Sequence, residues 1–370
     1  MKNKILIFSY DFPPSDGGIA RLCSEIASNL NTREYDLMVL TTDHQGANNA
    51  TYNLNGIQIV RKTSKRIHCE WEMFGYLRSI KNKADYTILC GLWYPEGLLA
   101  LLAGFKNVYL LTHGAELRPG KSLFRKHIWI SIVAGWVLKR AKRVIANSDY
   151  TAGLSKSVSP HAHVVALPLA VNSHYFTPDH TLRKADGNLT LCTVSRICKF
   201  KGHDTIAGAI NLLPASLKEK IRWKIAGNGP YKQALMQLVD QMGLSSQTDF
   251  LGFVSDADLP KVYQSSDVFV LCTREEKDSE DVEGFGLVFL EAQSCGIPAI
   301  GKKAGGIPSA VKEGEGGWLI HDKDDLSKLL SLLIEDKEIC RIMGHKARQR
   351  VEKEATWTIY TDKLIQYLDL

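Results

Sequence analysis

The chain has 370 residues, 45% of them hydrophobic and 23% charged, with 46 Lys and Arg against 40 Asp and Glu. This is the composition of a globular protein long enough for two ordinary domains, which excludes a disordered or low-complexity chain. Its eight cysteines form no Cys-x-x-Cys pair and no metal-ligand spacing, and no apolar run is long enough to span a membrane.

The elements are predicted from apolar periodicity, in chain order. Lys2 to Tyr10 holds an apolar core too short for a signal peptide, with Asp11 and Pro13-Pro14 close behind, and reads as a buried strand. The turn Asp11 to Gly18 follows it. Gly17 and Gly18 there let backbone approach a ligand closely and open a helix over Ile19–Leu30. Further strands are predicted at Leu37–Leu40, Ile57–Val60, Thr87–Leu89, Val108–Leu111, Val144–Ala146 and Val164–Ala166, with a helix at Leu98–Ala103. Thr112-His113-Gly114-Ala115-Glu116 lies just past one of these strands and places a histidine at a strand end.

From Leu117 to Ser148 there is no acidic residue. Arg118, Lys121, Arg125, Lys126, Lys139 and Arg140 lie in that window around the apolar run Ile128 to Leu138. A basic, apolar, helix-like segment suits an anionic membrane surface or a lipid-borne acceptor. Residues 1–172 carry 21 basic against 12 acidic side chains, a net of +9, and the remainder 25 against 28, a net of −3. Nucleic acid is not the expected partner, because no reading-head motif and no aromatic interleaving accompany the charge.

After Pro168 a polar, proline-containing stretch runs to Asn188 and reads as a linker over 171–188. A second series of strands follows at Thr190–Ser195, Arg222–Ala226, Asp249–Leu251, Val268–Leu271, Ala299–Ile300 and Trp318–Ile320. Helices are predicted at Tyr231–Met242, Pro260–Ser265 and Leu326–Leu333. Strands alternating with helices indicate parallel sheets, so the prediction is two α/β domains, residues 1–170 and 189–356.

The second domain holds most of the candidate chemistry. Ser195-Arg196-Ile197-Cys198-Lys199-Phe200-Lys201 follows its first strand, where Arg196 can fork onto two phosphate oxygens and Lys201 adds a point charge. Gly227 and Gly229 form a second glycine turn, and Gly305-Gly306 a third. None has Walker A or dinucleotide-fingerprint spacing. Asp281-Val282-Glu283-Gly284-Phe285-Gly286-Leu287 leads into an apolar helical run carrying Glu291. A turn that opens a helix aims unpaired N–H groups and the positive dipole end at an anion. Two carboxylates flanking such a site suit a diphosphate between polyols, the chemistry of a sugar nucleotide. Asp256 and Asp258 have metal-ligand spacing but precede a helix and read as its cap.

In order and spacing these motifs resemble the retaining family 4 glycosyltransferases of the GT-B fold, nearly end to end. The resemblance rests on the pair Glu283/Glu291, Arg196 with Lys201, the Gly17-Gly18 turn, the segment at His113, and Phe250-Leu251-Gly252-Phe253-Val254. The form Asp-Val-Glu-Gly-Phe-Gly, behind the acidic loop Glu275 to Asp281, is most similar to the phosphatidylinositol mannosyltransferase-like branch. The resemblance implies two facing Rossmann-like domains with a ligand cleft between them and a C-terminal stretch, about 357–370, that packs back on the first. It implies that Arg196 and Lys201 bind the donor diphosphate and that Glu291 holds the ribose. Glu283, Phe285, Gly286 and Leu287 would contact the donor sugar and phosphate, Gly18 the diphosphate, and His113 the transferring sugar. Phe253 and Val254 would lie beside the base, near Gly227 and Gly229. It further implies chemistry without a cofactor or bound metal.

The expected activity is retaining transfer of a hexosyl unit from GDP-mannose or a UDP-sugar to a lipid-linked or membrane-surface glycan. Bacterial surface polysaccharide, such as lipopolysaccharide, or glycolipid would be the product. The expected place is the cytoplasm, peripheral on the inner face of the membrane. A sugar-nucleotide epimerase of the same fold, or a non-catalytic sugar-nucleotide-binding protein, are the competing readings.

Overall fold

The computed structural model describes residues 4–15, 17–33, 35–43, 50–63, 66–183, 186–275, 279 and 281–370. Asp16 of the first glycine turn and most of the acidic loop after Glu275 lie outside the described residues. The chain divides into two compact units. One comprises Met1–Pro168, Asp278–Glu280 and Trp357–Leu370; the other comprises Leu169–Lys277 and Asp281–Thr356.

In the first unit the order is β1 (Lys4–Phe8), α1 (Gly18–Asn31), β2 (Asp36–Asp43), β3 (Ala50–Leu54), β4 (Ile57–Thr63), α2 (Arg66–Ser79), β5 (Tyr86–Cys90), α3 (Leu98–Leu102), β6 (Val108–Thr112), α4 (Gly135–Arg140), β7 (Arg143–Ala146), α5 (Asp149–Val158) and β8 (Val164–Ala166). The sheet order is β3-β4-β2-β1-β5-β6-β7-β8. All neighbours are parallel except β3, which pairs antiparallel with β4. Ile5, Leu6, Ile7 and Phe8 of β1 are all buried, as a central strand covered on both faces requires. Helix α1 buries Ala20, Cys23, Ile26, Ala27 and Leu30 at helical spacing.

In the second unit the order is β9 (Leu189–Val194), α6 (His203–Asn211), α7 (Ala215–Lys218), β10 (Ile221–Ala226), α8 (Lys232–Gln241), β11 (Thr248–Gly252), α9 (Leu259–Gln264), β12 (Val268–Leu271), α10 (Leu287–Ser294), β13 (Ala299–Lys302), α11 (Ile307–Ala310), β14 (Gly317–Ile320), α12 (Lys323–Glu335) and α13 (Glu338–Glu354). Its sheet is wholly parallel, ordered β11-β10-β9-β12-β13-β14. This is the doubly wound order, with the direction in which successive strands are added reversing at β9. Helix α14 (Trp357–Tyr367) belongs to the first unit, where it packs on α1 and buries Tyr360, Thr361 and Leu364. The strands expected from the sequence all form.

Three expectations differ from what is observed. Residues 171–188, read as a linker, begin by packing on the second unit: Phe176 is buried beside Tyr263, and its carbonyl accepts from Ser294 Oγ at 2.6 Å and Arg348 Nη1 at 2.9 Å. Asp258 stands at the start of α9, but its carboxylate caps no N–H. It accepts from Ser255 Oγ at 2.8 Å and pairs with Lys261 at 2.9 Å. The apolar run Ile128 to Leu138 is helical, but with π-type winding over Arg125–Ala134 before it tightens into α4.

Candidate functional site

Each sheet has one strand from which the chain winds both ways, β1 in the first and β9 in the second. Ligands of open α/β sheets bind beyond the carboxyl ends of strands at such a point. The segments after β1 and β9 are those that carry Gly17-Gly18 and Arg196 to Lys201.

In the second unit the loop after β9 is tightly built. A side chain at Gly202 would press on the Cys272 carbonyl, which a Cβ would meet at 1.9 Å. Arg274 ties the loop down, with its N–H donating to Phe200 O at 2.7 Å, its Nη2 to Lys199 O at 2.7 Å and its Nη1 to Asp204 at 3.0 Å. So held, Lys201 Nζ reaches Glu283 Oε2 at 2.6 Å, with both side chains largely shielded. Arg196 is exposed, and its guanidinium has no partner among the described residues. His203, just beyond, is fully buried, and burial pushes its imidazole down to about 4, so it stays neutral.

The Glu283 turn is held from behind. Gly306 N donates to Glu283 O at 2.8 Å, and a Cβ on Gly306 would lie 1.8 Å from Gly284 O. Gly286, at φ +90°, then opens α10. The N–H groups of Leu287 and Val288 have no acceptor among the described residues, while Phe289 N turns back to Gly286 O at 3.0 Å. Phe285 and Gly286 are buried and Leu287 is half-buried, so this turn offers backbone more than side chain. Glu291 lies one side of α10, buried, and accepts from Tyr263 Oη at 2.7 Å. Burial and that carboxylate hold the Tyr263 hydroxyl well above the usual phenol range.

Gly227 and Gly229 are required by the chain itself: Cβ atoms there would lie 2.0 Å from Ser195 O and 2.3 Å from Ile197 O. Their role is to let the turn after β10 pass against the turn that carries Arg196. Phe253 is 82% exposed at the end of β11 with Val254 half-buried beside it, an aromatic face left open to solvent.

In the first unit Gly17 has φ +142°, a conformation that glycine tolerates, and a Cβ on Gly18 would meet nothing within 4 Å. His113 N donates to Glu116 Oε1 at 2.7 Å, and its Nε2 lies 3.0 Å from Gly91 O. A carbonyl only accepts, so Nε2 carries a proton and Nδ1 is the ring nitrogen left for a ligand.

Residues 16–174 match the family described as Glycosyltransferase Family 4, and residues 179–350 match Glycosyl transferases group 1. The chain belongs to glycosyltransferase family 4. A similar curated relative is the GDP-mannose-dependent alpha-(1-6)-phosphatidylinositol monomannoside mannosyltransferase of Mycobacterium tuberculosis. It is 28% identical over 99% of this chain and 98% of its own length. The fold matches sucrose-phosphate synthase of Thermosynechococcus elongatus at a TM-score of 0.81, with 20% identity, 100% of this chain and 98% of that one covered. It also matches Anabaena HepE in complex with UDP and glucose at 0.76, with 17% identity and 99% of each chain. The GT-B fold and glycosyltransferase activity follow.

Two of this glycosyltransferase's six candidate membrane cations do not face a surface. Arg118 is buried, donating to Ser279 O at 2.8 Å and Tyr150 Oη at 3.2 Å, and half-buried Arg125 donates to Arg118 O at 3.0 Å. A window free of acids marks charge but not direction, and these two are turned inward to satisfy loop backbone. Lys121, Lys126, Lys139 and Arg140 are exposed.

Glu96 escaped the sequence reading. Its carboxyl is fully buried beside the end of β1; Oε1 accepts from Tyr10 N at 3.0 Å, and Oε2 has no partner among the described residues. Burial, with Asp11 nearby, pushes the carboxyl up to about 8. The loop after β1 is thereby pinned from three sides: Glu96 at Tyr10 N, Thr42 Oγ1 at Tyr10 O, and Arg61 at Pro13 O. The one signal available was a lone carboxylate inside the apolar run Leu92 to Leu102.

Proposed function

We propose that this enzyme moves a hexosyl unit, with retention, from a nucleotide-diphosphate sugar to a lipid-borne glycan acceptor at the inner face of a membrane. Breaking the sugar–phosphate bond leaves an oxocarbenium-like sugar and an anionic diphosphate. The observation that carries the reading is Glu283 paired with Lys201 Nζ at 2.6 Å in the turn that leads to the open N–H groups at the start of α10, with exposed Arg196 on the same loop as Lys201. Lys201 and the α10 N–H groups are fixed before the donor arrives, and such preorganisation stabilises a leaving anion without reorganisation. The leaving phosphate then takes the acceptor's proton as the acceptor attacks from the same face. Neither carboxylate acts as a covalent nucleophile, because Glu283 is paired to Lys201 and Glu291 is buried against Tyr263. No metal is assigned to the step.

GDP-mannose is the favoured donor, on the strength of the mannosyltransferase relatives, with a UDP-sugar as the alternative. Eight buried, free thiols suit a reducing compartment. Calorimetry with GDP and UDP in parallel identifies the base, and NMR of the product's anomeric proton reports retention. Arg196→Ala is expected to lower turnover roughly 100- to 1,000-fold. An unchanged rate would remove Arg196 from the leaving-group account.

A further inference from the structure

The segment 121–140 has two faces. Ile130, Ala134, Val137 and Leu138 are buried in the first unit's core. The opposite face is also apolar, and it is bare. Leu123 is 72% exposed, Phe124 64% and Ile132 62%, with Ile128 and Trp136 exposed as well. Phe124, Ile128, Ile132 and Trp136 recur every fourth residue, so they form one ridge along the helix. Water-facing apolar side chains in a row are unusual on a monomer and mark a surface that something covers.

Lysines and an arginine surround the ridge. Lys121 and Lys126 stand at its start, and Lys139 and Arg140 at its end, with the Arg140 guanidinium 4.7 Å from the centre of the Trp136 ring. No acidic residue lies between Leu117 and Ser148 to offset them. No helix among the described residues is long and apolar enough to cross a membrane. A ridge of this kind, rimmed by cations, complements one environment in particular: hydrocarbon beneath a layer of phosphates. A second copy of the chain would instead set four cations against four.

The geometry points to this face as a bilayer-docking surface, with the ridge inserted among the acyl chains of an anionic leaflet and Lys121, Lys126, Lys139 and Arg140 at the headgroups. Insertion, and not charge alone, then holds the enzyme. Docking rests on the glycolipid-acceptor reading for its purpose, since a lipid-borne acceptor requires the enzyme at its surface, but it is measured without donor or acceptor.

The test is co-sedimentation of the full chain with phosphatidylcholine vesicles, with and without phosphatidylglycerol, at low and high salt. Wild type is expected to bind the anionic vesicles and to keep a substantial fraction of that binding at high salt, where surface charge is screened. Ile128→Glu with Ile132→Glu should weaken vesicle binding at least about tenfold, the value of losing one inserted side chain. Nucleotide binding and melting temperature should stay unchanged, because both side chains are exposed. Wild-type levels of vesicle binding by the double variant, or loss of all wild-type binding at high salt, would overturn insertion. So would a wild-type dimer that the double variant converts to monomer. Lost nucleotide binding in Arg196→Ala with vesicle binding intact would leave docking standing and bear only on the donor site.

Discussion

Glu96 shows how one side chain can set the behaviour of a loop. Its carboxyl holds Tyr10 N, yet burial raises it from an ordinary 4.5 to about 8, so at neutral pH it is mostly protonated. A folded pKa above the unfolded one means that folding takes up a proton. The stabilisation is complete below about 4.5 and is lost progressively as pH rises through about 8, amounting to a few kcal/mol on the order-of-magnitude scale of about 1.4 per unit. Buried His203 has the opposite sign, its stabilisation lost as pH falls from about 6.5 toward about 4. Glu96→Gln isolates the first effect: between pH about 6 and 9 its melting temperature should fall less than that of wild type. Parallel curves for the two proteins would show that Glu96 does not titrate there.

Among the elements, the loops after β9 and β12 work as a pair. Lys201 meets Glu283 because Arg274 fastens residues 199–204 from the neighbouring strand's end. Arg274→Ala should cost about 1–3 kcal/mol of second-unit stability, the penalty for unpairing Asp204 and the Lys199 carbonyl. It should lower kcat more than donor affinity. Urea unfolding and steady-state kinetics check both, and an unchanged kcat would mean that the loop keeps its place unaided. Arg274 was illegible in the sequence because its partners, Lys199, Phe200 and Asp204, are some 70 residues away. The strands were legible because runs such as Ile5–Phe8 and Val268–Leu271 are apolar throughout, the mark of a strand buried on both faces. The Glu283 turn was legible for a local reason: glycines, a carboxylate and an apolar helix lie within a dozen residues. The bare ridge was not, since Ile130 and Ile132 look alike in a sequence and only the fold decides which is covered. Helix α2 went unseen because its polar and apolar residues follow no one-sided pattern.

At the scale of the whole molecule, the second unit is inserted within the first along the chain. The first unit's sheet ends at β8, yet its covering is completed by α14 from beyond residue 356, through Tyr360 and Leu364 against α1 and the Arg33–Asp362 pair at 2.6 Å. Asp369 adds contacts to Lys142 at 3.1 Å and Arg143 at 3.2 Å. A chain stopped at Thr356 bares the part of α1 that α14 covers. Calorimetry of that chain should show the first unit's transition lowered well beyond the second's, and equal lowering of both would argue that α14 serves them alike.

The same return of the chain bears on synthesis. As the polypeptide leaves the ribosome, the second unit has all its residues by Thr356, whereas the first, begun earlier, still lacks the helix that covers α1. The usual order, in which the N-terminal domain finishes first, is therefore reversed at the last step. For the time taken to translate the second unit, the nascent first unit carries an uncovered apolar face, which makes it the half most in need of a chaperone.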